Sequence, residues 1–174
     1  MQIRRVVMGE PKAGASAFTH VEELKPREGF PGVAYDVWGW DQPPTLPYGS
    51  TVYDGFGMLP DGVPGLRVMV LEDFPPAEIP DMDPAAVAAA AASPAGGMRL
   101  HASGIPGMHS TETVDIGFVL SGRIVSVASD GTRETLGQGD VYVQNGAPHA
   151  WERVEGESGA TVAFVLLAVP RDDR

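Results

Sequence analysis

The 174-residue chain contains no cysteine, which excludes disulfide bonds, thiolate zinc sites and a cysteine nucleophile. Basic residues are also few. Only 12 lysines and arginines stand against 23 aspartates and glutamates, and the net charge of -11 disfavours nucleic acid and anionic membranes as partners. No apolar run has the length of a membrane span or a signal peptide, since the most apolar segment, Ala160–Val169, is strand-sized. We therefore expect a cytoplasmic protein that binds neither nucleic acid nor membrane.

In contrast, the chain has 22 glycines and 16 prolines, a content typical of a turn-rich β protein. Its length predicts a single domain with a sizeable core. After Gly97, seven strand-like segments follow one another so closely that crossover helices have no room, which predicts antiparallel pairing. These segments are Met98–Ser103, Asp115–Leu120, Arg123–Ala128, Arg133–Leu136, Val141–Gln144, Ala150–Val154 and Ala160–Val169. The Asp130-Gly131 pair is typical of a tight hairpin turn.

Four further strand signals precede this region, at residues 2–8, 17–24, 35–40 and 66–71. We interpret residues 1–97 as N-terminal strands, a Pro/Gly-rich loop and a short helix that pack, within one domain, on a core barrel of residues 98–174. The only helix signal is the alanine-rich run Pro84–Ala92, for which a low-complexity connector is the alternative. The loop at residues 41–65 could cover either the site or a subunit interface.

The stretch at residues 107–122, GMHSTETVDIGFVLSG, combines a polar face with an apolar strand. In an extended chain, side chains spaced by two residues share one face. The residues on this face are His109, Thr111, Thr113 and Asp115. Histidine and aspartate beside so apolar a strand are typical of the lining of a binding cavity. A second stretch, at residues 139–151, repeats the theme with a strand, a glycine turn and His149.

Together the two stretches resemble the paired motifs of the cupin superfamily, small β-barrels with a site in the barrel mouth. The match covers roughly residues 99–168, and Gly146-Ala-Pro-His149 corresponds to the end of the second motif. Thr111 stands in place of the family's second histidine, Asp115 in place of its glutamate and Gln144 in place of its usual proline. The first motif therefore reads His-x-Thr-x-Thr-x-Asp, as in single-barrel, cupin type 2-like members. The resemblance implies an all-β fold, an antiparallel jelly-roll barrel with N-terminal extension strands and one or two short helices.

His109, Asp115 and His149 are the candidate catalytic residues. Two histidines and a carboxylate form the triad typical of non-heme Fe(II), and Mn, Ni or Zn can also occupy such a site. The same three groups could instead act without metal, because a histidine oriented by a carboxylate moves protons near neutral pH. Either role requires the chain to bend within Ser110–Val114, since His109 and Asp115 would lie roughly 20 Å apart along a straight strand.

Further candidates for substrate binding are Thr111, Thr113, Trp151, Gln144 and His101. The two threonines offer hydroxyl groups to a ligand's oxygens. Trp151 suits either the wall of an aromatic-binding cavity or the hydrophobic core. His101 is either cavity-lining or an ordinary surface residue.

The resemblance implies a small-molecule enzyme that binds an oxygenated organic acid, an aromatic or a polyketide-like compound. We expect lyase or isomerase chemistry without consumption of O₂: dehydration, decarboxylation or tautomerisation. A metal-dependent dioxygenase and a non-catalytic ligand-binding or sensor protein are the alternatives. The N-terminal strands and aromatic residues exceed what one small barrel needs, so we expect a homodimer formed through them.

Overall fold

A computed structural model describes residues 1–27, 32–46, 59, 62, 64–77, 97–101 and 103–170. These residues form twelve strands: β1 (Arg4–Lys12), β2 (Ala15–Glu23), β3 (Val33–Trp40), β4 (Leu66–Phe74), β5 (Met98–Leu100), β6 (His109–Thr111), β7 (Thr113–Ser121), β8 (Arg123–Ala128), β9 (Arg133–Gly137), β10 (Val141–Asn145), β11 (His149–Arg153) and β12 (Ala160–Ala168). No helix occurs in these ranges, and hence none that could cross a membrane. The predicted helix Pro84–Ala92 lies outside the described residues, as does most of the loop at residues 41–65.

The first sheet has the strand order β10-β7-β12-β4-β3, and every pair in it is antiparallel. Strand β12 lies at its centre, paired with β7 on one side and with β4 on the other, and its apolar residues alternate between buried and half-buried. Strands β3 and β4 precede residue 97 in the sequence, whereas β7, β10 and β12 follow it. Residues from both halves of the chain therefore build one sheet.

The second sheet has the order β5-β6-β11-β8-β9 and is also antiparallel. Strands β8 and β9 form a hairpin whose turn contains Asp130 and Gly131, as the sequence predicts. Gly131 has a φ of 86°, which side-chain-bearing residues rarely adopt, and the Asp130 carboxylate accepts a hydrogen bond from the Thr132 amide at 2.9 Å.

The two sheets pack against each other around Trp151 of β11. Its ring meets those of Tyr142, Phe164 and Phe74 edge-on, with centroids 5.0, 5.8 and 5.9 Å away. The inward-facing residues of β4, β7 and β12 complete this core. The prediction of an all-β, antiparallel, barrel-like fold is confirmed. In the described ranges the strands form two packed sheets and not one closed hydrogen-bonded barrel.

Strands β1 and β2 form a separate two-stranded sheet. Arg5 connects this hairpin to the body by donating to the Val37 carbonyl oxygen at 3.0 Å. The opposite face of the hairpin carries apolar side chains that are about half exposed or more: Val6, Met8, Phe18 and Val21.

Candidate functional site

The chain passes from the second sheet to the first at Glu112, between the end of β6 and the start of β7. This is the bend that the sequence requires within residues 110–114. The Glu112 carbonyl accepts from the Val169 amide at 3.0 Å, and its carboxylate accepts from the Gly62 amide at 3.1 Å. The bend is thus held from both sides. It places His109 on the second sheet and Asp115 on the first.

His109 and His149 are direct cross-strand partners on β6 and β11. Their ring centroids lie 4.4 Å apart with the planes inclined by 50°. Met108, which is 1% exposed, packs on Val127 and Ala150 on the outer face of the second sheet. Because side chains alternate along a strand, this anchor directs the next residue, His109, to the inner face. The structure therefore brings together the two histidines predicted from the motifs.

In both histidines, the ring nitrogen Nδ1 lies within hydrogen-bond distance of a backbone carbonyl oxygen, that of the residue two positions earlier in the chain. The His109 Nδ1 is 2.8 Å from the Gly107 oxygen, and the His149 Nδ1 is 3.0 Å from the Ala147 oxygen. A carbonyl oxygen only accepts hydrogen bonds, so Nδ1 of His109 carries the proton and its Nε2 keeps a lone pair.

Burial keeps both histidines neutral. It lowers the pKa of His109, and together with the neighbouring charge of His109 it lowers the pKa of His149 to about 4. At neutral pH the pair therefore carries no charge.

Asp115 stands on the inner face of β7 and is 7% exposed. Its cross-strand partners are Gln144 on β10 and Leu166 on β12. The hydroxyl of Thr113 hydrogen-bonds the carboxylate and lies 2.6 Å from the hydroxyl of Thr111. The second carboxylate oxygen, Oδ1, is buried and has no hydrogen-bond partner among the described residues. A buried carboxylate oxygen without a partner is costly, which indicates a position for a ligand hydrogen.

Burial also raises the pKa of Asp115 to about 6, although the Thr113 hydroxyl acts in the opposite direction. The usual order of proton affinity is thereby reversed, because this carboxylate holds its proton at a higher pH than His149 does. As the pH falls, Asp115 therefore takes up a proton before His149 does.

Tyr142 is a site residue that sequence reasoning missed. It precedes Gln144 by two residues on β10, so the two side chains share the inner face. It hydrogen-bonds Ser126, and burial and the charge of Asp115 raise the pKa of its phenol. The alternation of side chains along β10 is the signal that could have identified it, because it places Tyr142 on the same face as Gln144.

The structure places the remaining candidates as follows. Trp151 is 9% exposed and packs in the core between the sheets, with its ring centroid 5.8 Å from that of His149. His101 is exposed, and its Nε2 lies 2.8 Å from the hydroxyl of Ser110, which belongs to the face of β6 opposite His109. Gln144 is buried and uses its amide within the protein: its Oε1 accepts from the Gly146 amide at 2.9 Å.

The metal implied by the resemblance would need three ligands from His109, His149 and Asp115. In the described part of the chain, no three histidine, cysteine, aspartate or glutamate side chains lie together as an ion would require. The histidines fit two positions, since Nδ1 contacts to backbone carbonyls are usual for metal-binding histidines. Asp115 does not complete the set.

No known protein-family profile matches the chain. Two proteins of Diaporthe leptostromiformis, Phomopsin biosynthesis cluster protein C' and Phomopsin biosynthesis cluster protein D, are each 40% identical to it over 60 residues. The similar segment is 34% of this chain and 32% of each relative. The chain thus spans about a third of the length of the relatives it matches, and the similarity concerns only that part.

Proposed function

We propose that this protein is a cupin-type enzyme that moves a proton on an oxygenated small molecule, with Asp115 as the general acid/base. The observation that carries the proposal is the buried Oδ1 of Asp115, which lacks a partner within the described ranges. A general base works best when its pKa lies near the working pH, and the pKa of Asp115, about 6, meets that condition.

The step requires no oxidant or reductant. Oδ1 of Asp115 takes a proton from a carbon next to a carbonyl group; the electron pair left behind forms a double bond to the carbonyl carbon, and the C=O π pair moves to the oxygen to give an enolate. In tautomerisation the same proton returns to a different atom of the substrate. In dehydration the enolate re-forms the carbonyl, a double bond forms to the adjacent carbon, and the hydroxyl group of that carbon leaves as water with the proton from Asp115. The phenol of Tyr142, whose pKa is raised by burial and by the charge of Asp115, can donate to the substrate's carbonyl oxygen, and the neutral histidine pair can accept from its hydroxyl groups.

Two further features support a biosynthetic small-molecule enzyme. The names of the two partial relatives refer to a biosynthesis cluster. The two packed antiparallel sheets and the paired motifs also agree with the cupin architecture. We propose no particular substrate from the names of these relatives.

We also propose a homodimer. The exposed face of the β1–β2 hairpin carries cross-strand apolar pairs, Val6 with Val21 and Met8 with Phe18, with Phe18 66% exposed. Contiguous apolar surface of this kind is typical of interaction sites. A symmetric dimer would cover it on both subunits.

The experiment for the proton-transfer function is solvent deuterium exchange. The protein is incubated in D₂O with a panel of small β-hydroxy ketones and their aromatic analogues, and exchange at the carbon next to the carbonyl is followed by NMR. We expect faster exchange or dehydration of at least one compound with wild-type protein. Asp115→Asn should lower that rate by roughly 100-fold or more, the usual contribution of a general base. Glu134→Gln, a carboxylate-to-amide change on exposed β9, is the matched control.

The other outcomes identify the alternatives. Substrate loss that keeps step with oxygen uptake would contradict the proposal and favour a dioxygenase. Saturable binding without exchange or turnover across the panel would favour a ligand-binding protein. Equal rates for wild type and Asp115→Asn would remove Asp115 from the chemistry.

A further inference from the structure

Gln144 connects the two halves of the site. It stands beside Asp115 on the first sheet, and its amide reaches the turn that leads into β11 of the second sheet. The orientation of this amide is fixed by the Gly146 backbone N–H, which donates to Oε1 at 2.9 Å. Nε2 is therefore the donor end. It lies 2.6 Å from the Ala147 carbonyl oxygen and 3.0 Å from Nδ1 of His149.

These two contacts cannot both be good hydrogen bonds. The Ala147 oxygen is also 3.0 Å from the His149 Nδ1, so the three atoms form a nearly equilateral triangle. The directions from Nε2 to the other two atoms thus diverge by about 60°, whereas the two hydrogens of a planar amide diverge by about 120°. The shorter contact, to the Ala147 oxygen, is the hydrogen bond that Gln144 makes.

Nδ1 of His149 then receives no hydrogen from Gln144 and carries its own proton toward the Ala147 oxygen. A carbonyl oxygen has two lone pairs and can accept from both donors. His109 has the same arrangement with the Gly107 carbonyl. The two rings, with centroids 4.4 Å apart, are thereby in the same tautomer, with an Nε2 lone pair on each.

We propose that Gln144 is a positioning residue that holds the Ala147 carbonyl and thereby fixes His149 in the Nδ1–H tautomer, so that the site selects ligands rich in hydrogen-bond donors. His109 Nε2 and His149 Nε2 are then two neighbouring acceptors, and the unpartnered Asp115 Oδ1 is a third acceptor beside Gln144 on the facing sheet. A ligand with adjacent hydroxyl groups can donate to the histidine pair. The carboxylate of a ligand has only acceptor oxygens and would find no donor among these groups. We therefore expect substrates other than organic acids. The ligand class rests on the proposed function, whereas the tautomer of His149 does not.

The tautomer is read from long-range ¹H–¹⁵N correlation spectra of uniformly ¹⁵N-labelled protein at neutral pH. We expect both His109 and His149 to show a protonated Nδ1 and a lone-pair Nε2. Gln144→Met removes the hydrogen bond that holds the Ala147 carbonyl in place, so His149 should show a mixture of tautomers, while His109, whose partner is the Gly107 carbonyl, keeps its pattern. Gln138→Met, on the exposed turn between β9 and β10, is the matched control and should leave both patterns unchanged.

A purely structural role for Gln144 would lower stability without changing the tautomer of His149. If Gln144→Met does not fold, Gln144→Glu provides the second test. Its carboxylate can accept from the His149 Nδ1–H but cannot donate to the Ala147 oxygen, so Nδ1 should stay protonated. A wild-type His149 protonated on Nε2 would overturn the proposal, as would an unchanged His149 pattern in a folded Gln144→Met.

The ligand class is tested with catechol, which has two adjacent hydroxyl donors, and benzoate, a carboxylate of similar size. Catechol at millimolar concentration should shift the ring signals of both histidines, and benzoate should shift them at least tenfold less. Equal or stronger effects of benzoate, or no response to either probe, would overturn the ligand class. Failure of the deuterium-exchange experiment with a confirmed tautomer would count against the proposed reaction and leave the role of Gln144 in place.

Discussion

The amide nitrogen of Gln144, on the first sheet, lies 3.0 Å from Nδ1 of His149, on the second. Both nitrogens donate to the Ala147 carbonyl oxygen, at 2.6 and 3.0 Å, and Asp115 stands beside Gln144 in register. The acid/base group and the histidine pair are therefore held by one connected set of buried side chains. A change at either end should be detectable at the other.

The first prediction concerns the charge state of His149. Its pKa is lowered to about 4, mainly by burial, and then by the charge of the neighbouring His109. A histidine in the unfolded chain titrates near 6.5. The folded state therefore binds fewer protons, and the stability from this residue is fully present above pH 6.5 and lost as the pH falls through 4.

The expected loss is roughly 3 kcal/mol over that window, because each tenfold change in proton affinity corresponds to about 1.4 kcal/mol. It is measured as the free energy of unfolding in urea between pH 4 and pH 7. His149→Gln should flatten the dependence over this window, whereas His20→Gln, on the β1–β2 hairpin, should not. A ring signal of His149 that titrates near pH 6.5 in the folded protein would contradict the prediction.

The second prediction separates the two roles considered for Trp151. Its edge-on contacts with Tyr142, Phe164 and Phe74 place it in the core. Trp151→Ala should therefore lower the free energy of unfolding by about 3–5 kcal/mol, as for other large-to-small core substitutions. Leu46→Ala, at a side chain that is 80% exposed, should change it by less than about 0.5 kcal/mol. A Trp151 variant of near wild-type stability would instead indicate a ligand-facing ring.

Much of the strand pattern could be predicted, because it depends on local signals. The predicted turn residues Asp130-Gly131 lie between β8, which ends at Ala128, and β9, which begins at Arg133. The spacing of His109 and Asp115 also indicated their common face. Both signals involve residues that are close together in the sequence, so they can be recognised without knowledge of the fold.

The position of β4 between β3 and β12 could not be predicted, because it depends on pairing between distant segments. The alternation along β10 indicates that Tyr142 shares a face with Gln144, but its proximity to Asp115 and Ser126, on other strands, depends on such distant pairing too. The location of the bend at Glu112 depends on contacts with Gly62 and Val169, which lie about 50 residues away on either side. No local pattern contains such contacts.

The third prediction concerns assembly. Phe18 and Met8 are 66% and 61% exposed and form a cross-strand pair on the hairpin. The double variant Met8→Glu/Phe18→Glu places like charges on the proposed interface and should convert a dimer to a monomer. Light scattering at micromolar concentration is the measurement, with Leu46→Glu as a control that adds charge at another exposed apolar residue. A wild-type protein that is already monomeric would rule out this interface.

The last prediction concerns Asp115 and the stability of the protein above pH 4. Burial raises the pKa of this carboxyl from an ordinary 3.8 to about 6. The folded state then binds more protons than the unfolded state. Protonated Asp115 therefore contributes fully to stability below pH 3.8, and this contribution is lost as the pH rises through 6. The cost at neutral pH is roughly 3 kcal/mol, because a tenfold difference in proton affinity between the two states corresponds to about 1.4 kcal/mol.

Asp115→Asn keeps the shape of the side chain and removes its charge. It should therefore be more stable than wild type at pH 7 and close to it at pH 4, and the difference should develop between those values. Urea unfolding curves at several pH values measure this, with Asp140→Asn at an exposed turn as the control. A variant less stable than wild type at pH 7 would show that the Asp115 carboxylate contributes to folding. If the variant is more stable at pH 7, the buried charge of Asp115 lowers the free energy of unfolding of the wild type. This is the expected result for a residue with a catalytic role.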